Sequence, residues 1–164
     1  MDYKELKKID KKYRVFILSD EFLSSMKSNG DTRLVQSIIK LQTRLLKSSE
    51  KAKSRKEEIL VKYRYIIGHE WEVVVGMSQY GVGDLLFTDG KDNYLVMEVK
   101  NLSPYSGKNQ SVKRRKSRRK VEQQTEYYMS KYRRKNSEAK SIMESLWLVM
   151  NGLSTHIKVK LENI

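Results

Sequence analysis

The sequence predicts an α/β protein with the element order helix, three strands, helix, two strands, preceded by an extra helical region. Three observations predict it. Apolar residues recur at helical spacing through most of the first 67 positions, two short apolar runs (83–87 and 94–100) flank a turn-rich segment, and two further strand-like runs near the end (145–150 and 157–161) follow a helical stripe.

In chain order, Tyr3, Leu6, Ile9 and Tyr13 have the spacing of a short amphipathic helix over 1–14. Val15, Phe16, Ile17 and Leu18 form a short apolar run, and Ser19-Asp20 offers an N-cap to a helix through Met26 that Asn29-Gly30 would stop. Asp31 or Thr32 caps a longer helix whose Leu34, Val35, Ile38, Leu41, Leu45 and Leu46 form a packing stripe. Residues 48–54 are polar, a linker or an exposed helical stretch. This gives a helical N-terminal extension over 1–54, packed on a core over 55–164.

The core opens on a helix from Lys56 carrying Ile59, Leu60, Tyr63, Ile66 and Ile67, with Gly68 as its C-cap. A first strand is predicted over 71–77, and 78–83 feeds the second. Residues 88–93 read as a hairpin turn, so Asp84, fourteen positions before Glu98, would come to lie beside it. After Asn101, Pro104 and Gly107 mark a loop that runs through basic residues to a helix beginning near Val121. Val121, Gln124, Tyr128 and Tyr132 share a stripe on that helix, which ends near Lys135. Asn151-Gly152 begins the turn between the last two strands.

The chain of 164 residues suffices for one domain, carries a formal net charge of +14, and has no cysteine. Disulfides and thiolate zinc sites are therefore excluded, and the charge points to a nucleic-acid partner. The densest positive run is Lys113, Arg114, Arg115, Lys116, Arg118, Arg119 and Lys120, with no acid over 103–120. Such a run can be a solvated tail or an import signal, but its place before the Val121 helix favours phosphate binding at a cleft rim. No stretch is apolar enough to span a bilayer and the N-terminus lacks a signal-peptide core. The expectation is a soluble intracellular protein without membrane contact, in a nucleus by way of 113–120 or in the cytoplasm of a prokaryote or virus-infected cell.

Charges inside the two central runs single out a site. Glu98 and Lys100 lie two apart, so on a strand they share a face with Val96, about 6.5 Å apart at Cα, within reach of one phosphate. Burying them is unfavourable unless they are paired or bound to a metal.

Gly83-Asp84, a hairpin and then Glu98-Val99-Lys100 resemble the core of the PD-(D/E)XK, or restriction-endonuclease-like, nuclease superfamily. Val82 and Gly83 stand where many members have Pro. The following helix is similar to the Gln-x-x-x-Tyr element of RecB and lambda-exonuclease domains, as Gln124/Tyr128 or as Gln123/Tyr127; the shared stripe favours the first. The resemblance covers roughly 56–164 and implies a mixed central sheet flanked by helices and a metal-dependent hydrolysis of phosphodiester bonds. Asp84, Glu98 and the Val99 carbonyl would hold Mg²⁺ or Mn²⁺, Lys100 would orient water or stabilise developing charge, and Gln124 would position the lysine, water or a phosphate. Tyr128 would touch nucleic acid beside the basic run, or mainly pack. Many members add a glutamate from the helix before the first strand. Glu58 is taken for that role, with Glu57 and Glu70 as its alternatives. His69 could be a ligand favouring Mn²⁺, against a plain turn residue, and His156 is left as structural.

DNA is favoured over RNA, as a repair, resolvase or homing-type endonuclease, though an exonuclease or an RNA endonuclease stays open. A resolvase would be a symmetric homodimer. The rival readings are a binding module of the same fold without catalysis, and a basic structural protein in which Glu-x-Lys is accidental.

Overall fold

A computed structural model describes residues 2–28, 36, 38–40, 62–101, 107–150 and 153–163. Helices α1 (Tyr3–Ile17) and α2 (Asp20–Ser28) come first, followed by strands β1 (Tyr65–Glu72), β2 (Val82–Thr88) and β3 (Asn93–Asn101). The long helix α3 (Lys108–Lys135) then leads to β4 (Ser141–Met150) and β5 (Leu153–Asn163). The strands form one five-stranded sheet in the order β1-β2-β3-β4-β5. Every neighbouring pair is antiparallel except β3 and β4, which run parallel because α3 carries the chain back to the sheet's other end. The protein is thus α/β.

Central β3 is buried on both faces, with Leu95, Val96 and Met97 fully covered, which explains why it reads as a continuous apolar run rather than an alternating one. On one face Leu85, Phe87, Leu95 and Met97 pack with Ile17 of α1 and Phe22 of α2. On the other, Leu86, Val96 and Ile142 pack with Tyr128 and Met129 of α3. The sheet therefore sits between α1/α2 and α3, and the N-terminal helices share its core.

The β2–β3 turn is held by side chains. Asp89 accepts the Lys91 and Asn93 backbone N–H groups, Thr88 Oγ1 donates to the Asn93 carbonyl, and Gly90 and Asp92 take the positive φ the turn demands. Helix α2 starts as expected, with Ser19 Oγ accepting the Phe22 N–H at 3.2 Å.

Several expectations need correction. The first strand spans Tyr65–Glu72, not 71–77, and residues 73–76 form a bend and turn. Tyr65, Ile66 and Ile67 fit a helical stripe as well as a strand. Pairing with β2, from Tyr65↔Thr88 to Glu72↔Val82, decides for the strand, so Gly68 is a strand residue and not a C-cap. The basic run is not a loop but the first half of α3, a stretch rich in Lys and Arg, without Gly or Pro, that favours helix. The 1–14 helix runs on to Ile17, absorbing most of the run read separately at 15–18. Strands β4 and β5 are both longer than predicted. Residues 36 and 38–40 are helical as expected. The rest of the 32–46 helix, the 48–54 linker, the start of the helix from Lys56 and the turn at Asn151-Gly152 lie outside the described residues.

Helix α1 is tied to the sheet by one carboxylate. Asp10, buried, accepts the Ile66 N–H at 2.9 Å and the Arg14 Nε–H at 2.8 Å, and Arg14 in turn donates to the Arg64 carbonyl. Asp10→Ala would orphan the Ile66 donor and is expected to lower stability by about 2 kcal/mol. Asp10→Asn keeps an acceptor and should cost less, a difference that urea unfolding of the two variants would reveal.

Candidate active site

The β2–β3 register places Leu85 opposite Met97, so the next step sets Asp84 opposite Glu98. Two hydrogen bonds fix the pair: Asp84 Oδ2 accepts the Val99 N–H at 2.6 Å, and Glu98 Oε1 accepts the Asp84 N–H at 3.2 Å. Both carboxyls lie on the α3 face, with Val96 and Leu86 beneath them. Glu98 is only 5% exposed.

Burial, and then the Asp84 charge, push the Glu98 carboxyl up to about 8. Burial also raises Asp84, against the opposing pull of the Val99 N–H. Two carboxyls held together away from water cannot both ionise easily without a cation. Lys100, exposed and on the same strand face, draws both pKa values back down but does not cancel the burial.

Helix α3 packs on the same sheet face through Tyr128 and Met129. Gln124 Nε2 donates to the Tyr128 hydroxyl at 2.6 Å, while Gln123 and Tyr127 are exposed, so the Gln124/Tyr128 register faces the acids. Burial raises the Tyr128 pKa, and the charges of Glu98 and Asp84 add to the effect, which puts its ring near both. Gly81 makes room for that ring: its φ is +110°, and a Cβ there would lie 2.6 Å from the Tyr128 hydroxyl oxygen. Gly81→Ala is expected to destabilise by about 2–3 kcal/mol through strain and displacement of Tyr128. A drop in thermal midpoint, with a changed tyrosine signal in near-UV circular dichroism, would register both effects.

The basic residues lie on the half of α3 that precedes Val121. From Asn109 to Lys120 no position is buried. Lys113, Arg115, Lys116, Arg119 and Lys120 are exposed, and Arg114 and Arg118 are half-covered, with Arg118 Nε donating to Glu122 at 3.2 Å. At 1.5 Å per residue, the half-helix before Val121 extends about 20 Å.

The remaining candidate acids separate. Glu70 falls between His69↔Leu85 and Trp71↔Gly83, hence across from Asp84, with a strained φ of +44° and a charge that raises Asp84 slightly. Glu57 and Glu58 lie outside the described residues. Among the described residues no three His, Cys, Asp or Glu side chains cluster as a metal site. His69 is not in a turn: it sits on β1, its ring 5.5 Å from Phe16 and 5.0 Å from Phe22, and burial lowers its pKa. Sequence reasoning missed this aromatic group, although Phe16 lies four and eight positions beyond Lys12 and Lys8, on one helical stripe.

Comparison with protein-family models, curated proteins and solved structures gave no match. No helix among the described residues is long and apolar enough to cross a membrane.

Proposed function

We propose that the chain is a metal-dependent nuclease with a restriction-endonuclease-like core, hydrolysing phosphodiester bonds of nucleic acid, with DNA favoured over RNA. The observation that carries this reading is the facing pair of Asp84 and Glu98, hydrogen-bonded through each other's strands and both raised in pKa. The strand order and the parallel β3–β4 pair support it as well.

The donor set fits a hard divalent cation, Mg²⁺ or Mn²⁺, because a 2+ charge would relieve two crowded carboxylates. Asp84, Glu98 and the Val99 carbonyl would hold it, with Glu70 the nearest further acid across the sheet. Such a cation supplies Lewis-acid polarisation of a phosphoryl oxygen and a lowered pKa for water. Lys100 supplies a positive charge on the same face, placed to offset charge that develops on the phosphate. Gln124, held by the Tyr128 hydroxyl, presents an amide to the same cleft. The basic half of α3 holds the backbone without reading sequence.

Calorimetric titration with Mn²⁺ tests the site. Wild type should bind the ion and release protons as it does so, and the Asp84→Ala/Glu98→Ala variant should bind none. Nucleic-acid binding without any metal uptake by wild type would instead indicate a module that only binds.

A further inference from the structure

An open groove of about 870 Å³ runs between α1 and the end of the edge strand β1. Lys8, Lys11 and Lys12 line one side, at the i, i+3 and i+4 spacing that places them on a single helix face. Its floor is apolar, and Phe16 presents an aromatic surface that is 45% exposed while resting against Phe22 and His69. Two acids also line it, Glu21 and Glu70. Glu70 belongs to the end nearest Asp84, across the edge strand β1.

Three ammonium groups beside an exposed aromatic face make a combination that suits a polyanion with accessible ring faces. An unpaired nucleotide strand has both, whereas bases stacked inside a duplex keep their faces covered. We propose that this groove seats the unpaired DNA leading to the scissile phosphate, with Phe16 as a stacking platform and Lys8, Lys11 and Lys12 as phosphate contacts. Only the link to a scissile phosphate rests on the nuclease reading; the groove's binding does not require cleavage.

Fluorescence anisotropy in EDTA with labelled oligo(dT) of about twelve nucleotides, a length within the usual single-strand site size, separates the two. Phe16→Ala should weaken oligo(dT) binding about tenfold, the scale of one lost base stack, and leave blunt duplex binding unchanged. Phe16→Tyr should restore affinity, and Phe16→Leu, which keeps apolar volume for folding, should not. Replacing the three lysines by Gln should reduce the slope of log affinity against log salt by about 2. A 2-aminopurine placed in the oligonucleotide should be quenched by wild type and not by Phe16→Leu. Unchanged oligo(dT) affinity in both Phe16→Ala and Phe16→Leu would overturn the proposal, and tighter binding of oligo(rU) than oligo(dT) would overturn the choice of DNA. In EDTA the assay reads binding alone, so a failed nuclease reading would leave this result intact.

Discussion

Asp84→Asn is expected to lower cleavage about 10³-fold or more while leaving nucleic-acid affinity within about twofold. The amide oxygen can still accept the Val99 N–H that Asp84 Oδ2 accepts at 2.6 Å, so the β2–β3 pairing should survive. What would disappear is one of the two negative charges that face the proposed cation, an interaction worth several kcal/mol, hence roughly three orders of magnitude or more in rate. Single-turnover rates on a labelled substrate, compared with anisotropy binding of the same substrate, would separate the two effects. Equal losses of binding and rate would point to a damaged fold instead.

Glu98→Gln is expected to stabilise the metal-free protein above a pH of about 8 by a few kcal/mol relative to wild type. In the folded chain the Glu98 pKa is raised from 4.5 to about 8, so between those values the folded state holds a proton that the unfolded state has released. Stability therefore falls as pH rises from about 4.5 through about 8, and the loss from this group is complete above that. Gln cannot ionise, so the slope should largely vanish. Bound cation reverses the preference, because it requires the ionised carboxylate: metal affinity should rise with pH up to about 8. Urea midpoints at about pH 5 and about pH 9, for both proteins in EDTA, check the first claim. A flat wild-type profile would contradict it.

The facing acids were legible in the sequence because turn chemistry at 88–93 set the hairpin and a period of two set the faces. The resemblance to a Gln-x-x-x-Tyr helix offered two registers, and the stripe that begins at Val121 chose Gln124 and Tyr128 over Gln123 and Tyr127. The limits of β1 were not legible, since Ile59 to Ile67 fit a helical period and only pairing with the distant β2 excludes a helix over Tyr65–Ile67. The first half of α3 escaped for a different reason. Between Lys108 and Lys120 there is almost no apolar residue to show a period, so only the absence of Gly and Pro marked it as helix. Phe16 was misplaced because residues 15–18 read as a separate run rather than the last turn of α1.

Whether Asp84, Glu98 and Lys100 form the proposed hydrolytic site is read by incubating purified protein with Mg²⁺ or Mn²⁺ on labelled single-stranded, duplex, flap and junction DNA, and on RNA. The expected result is metal-dependent cleavage of at least one DNA substrate that is absent in the Asp84→Ala/Lys100→Ala variant. Cleavage of none of these substrates beyond the level of that variant would contradict it.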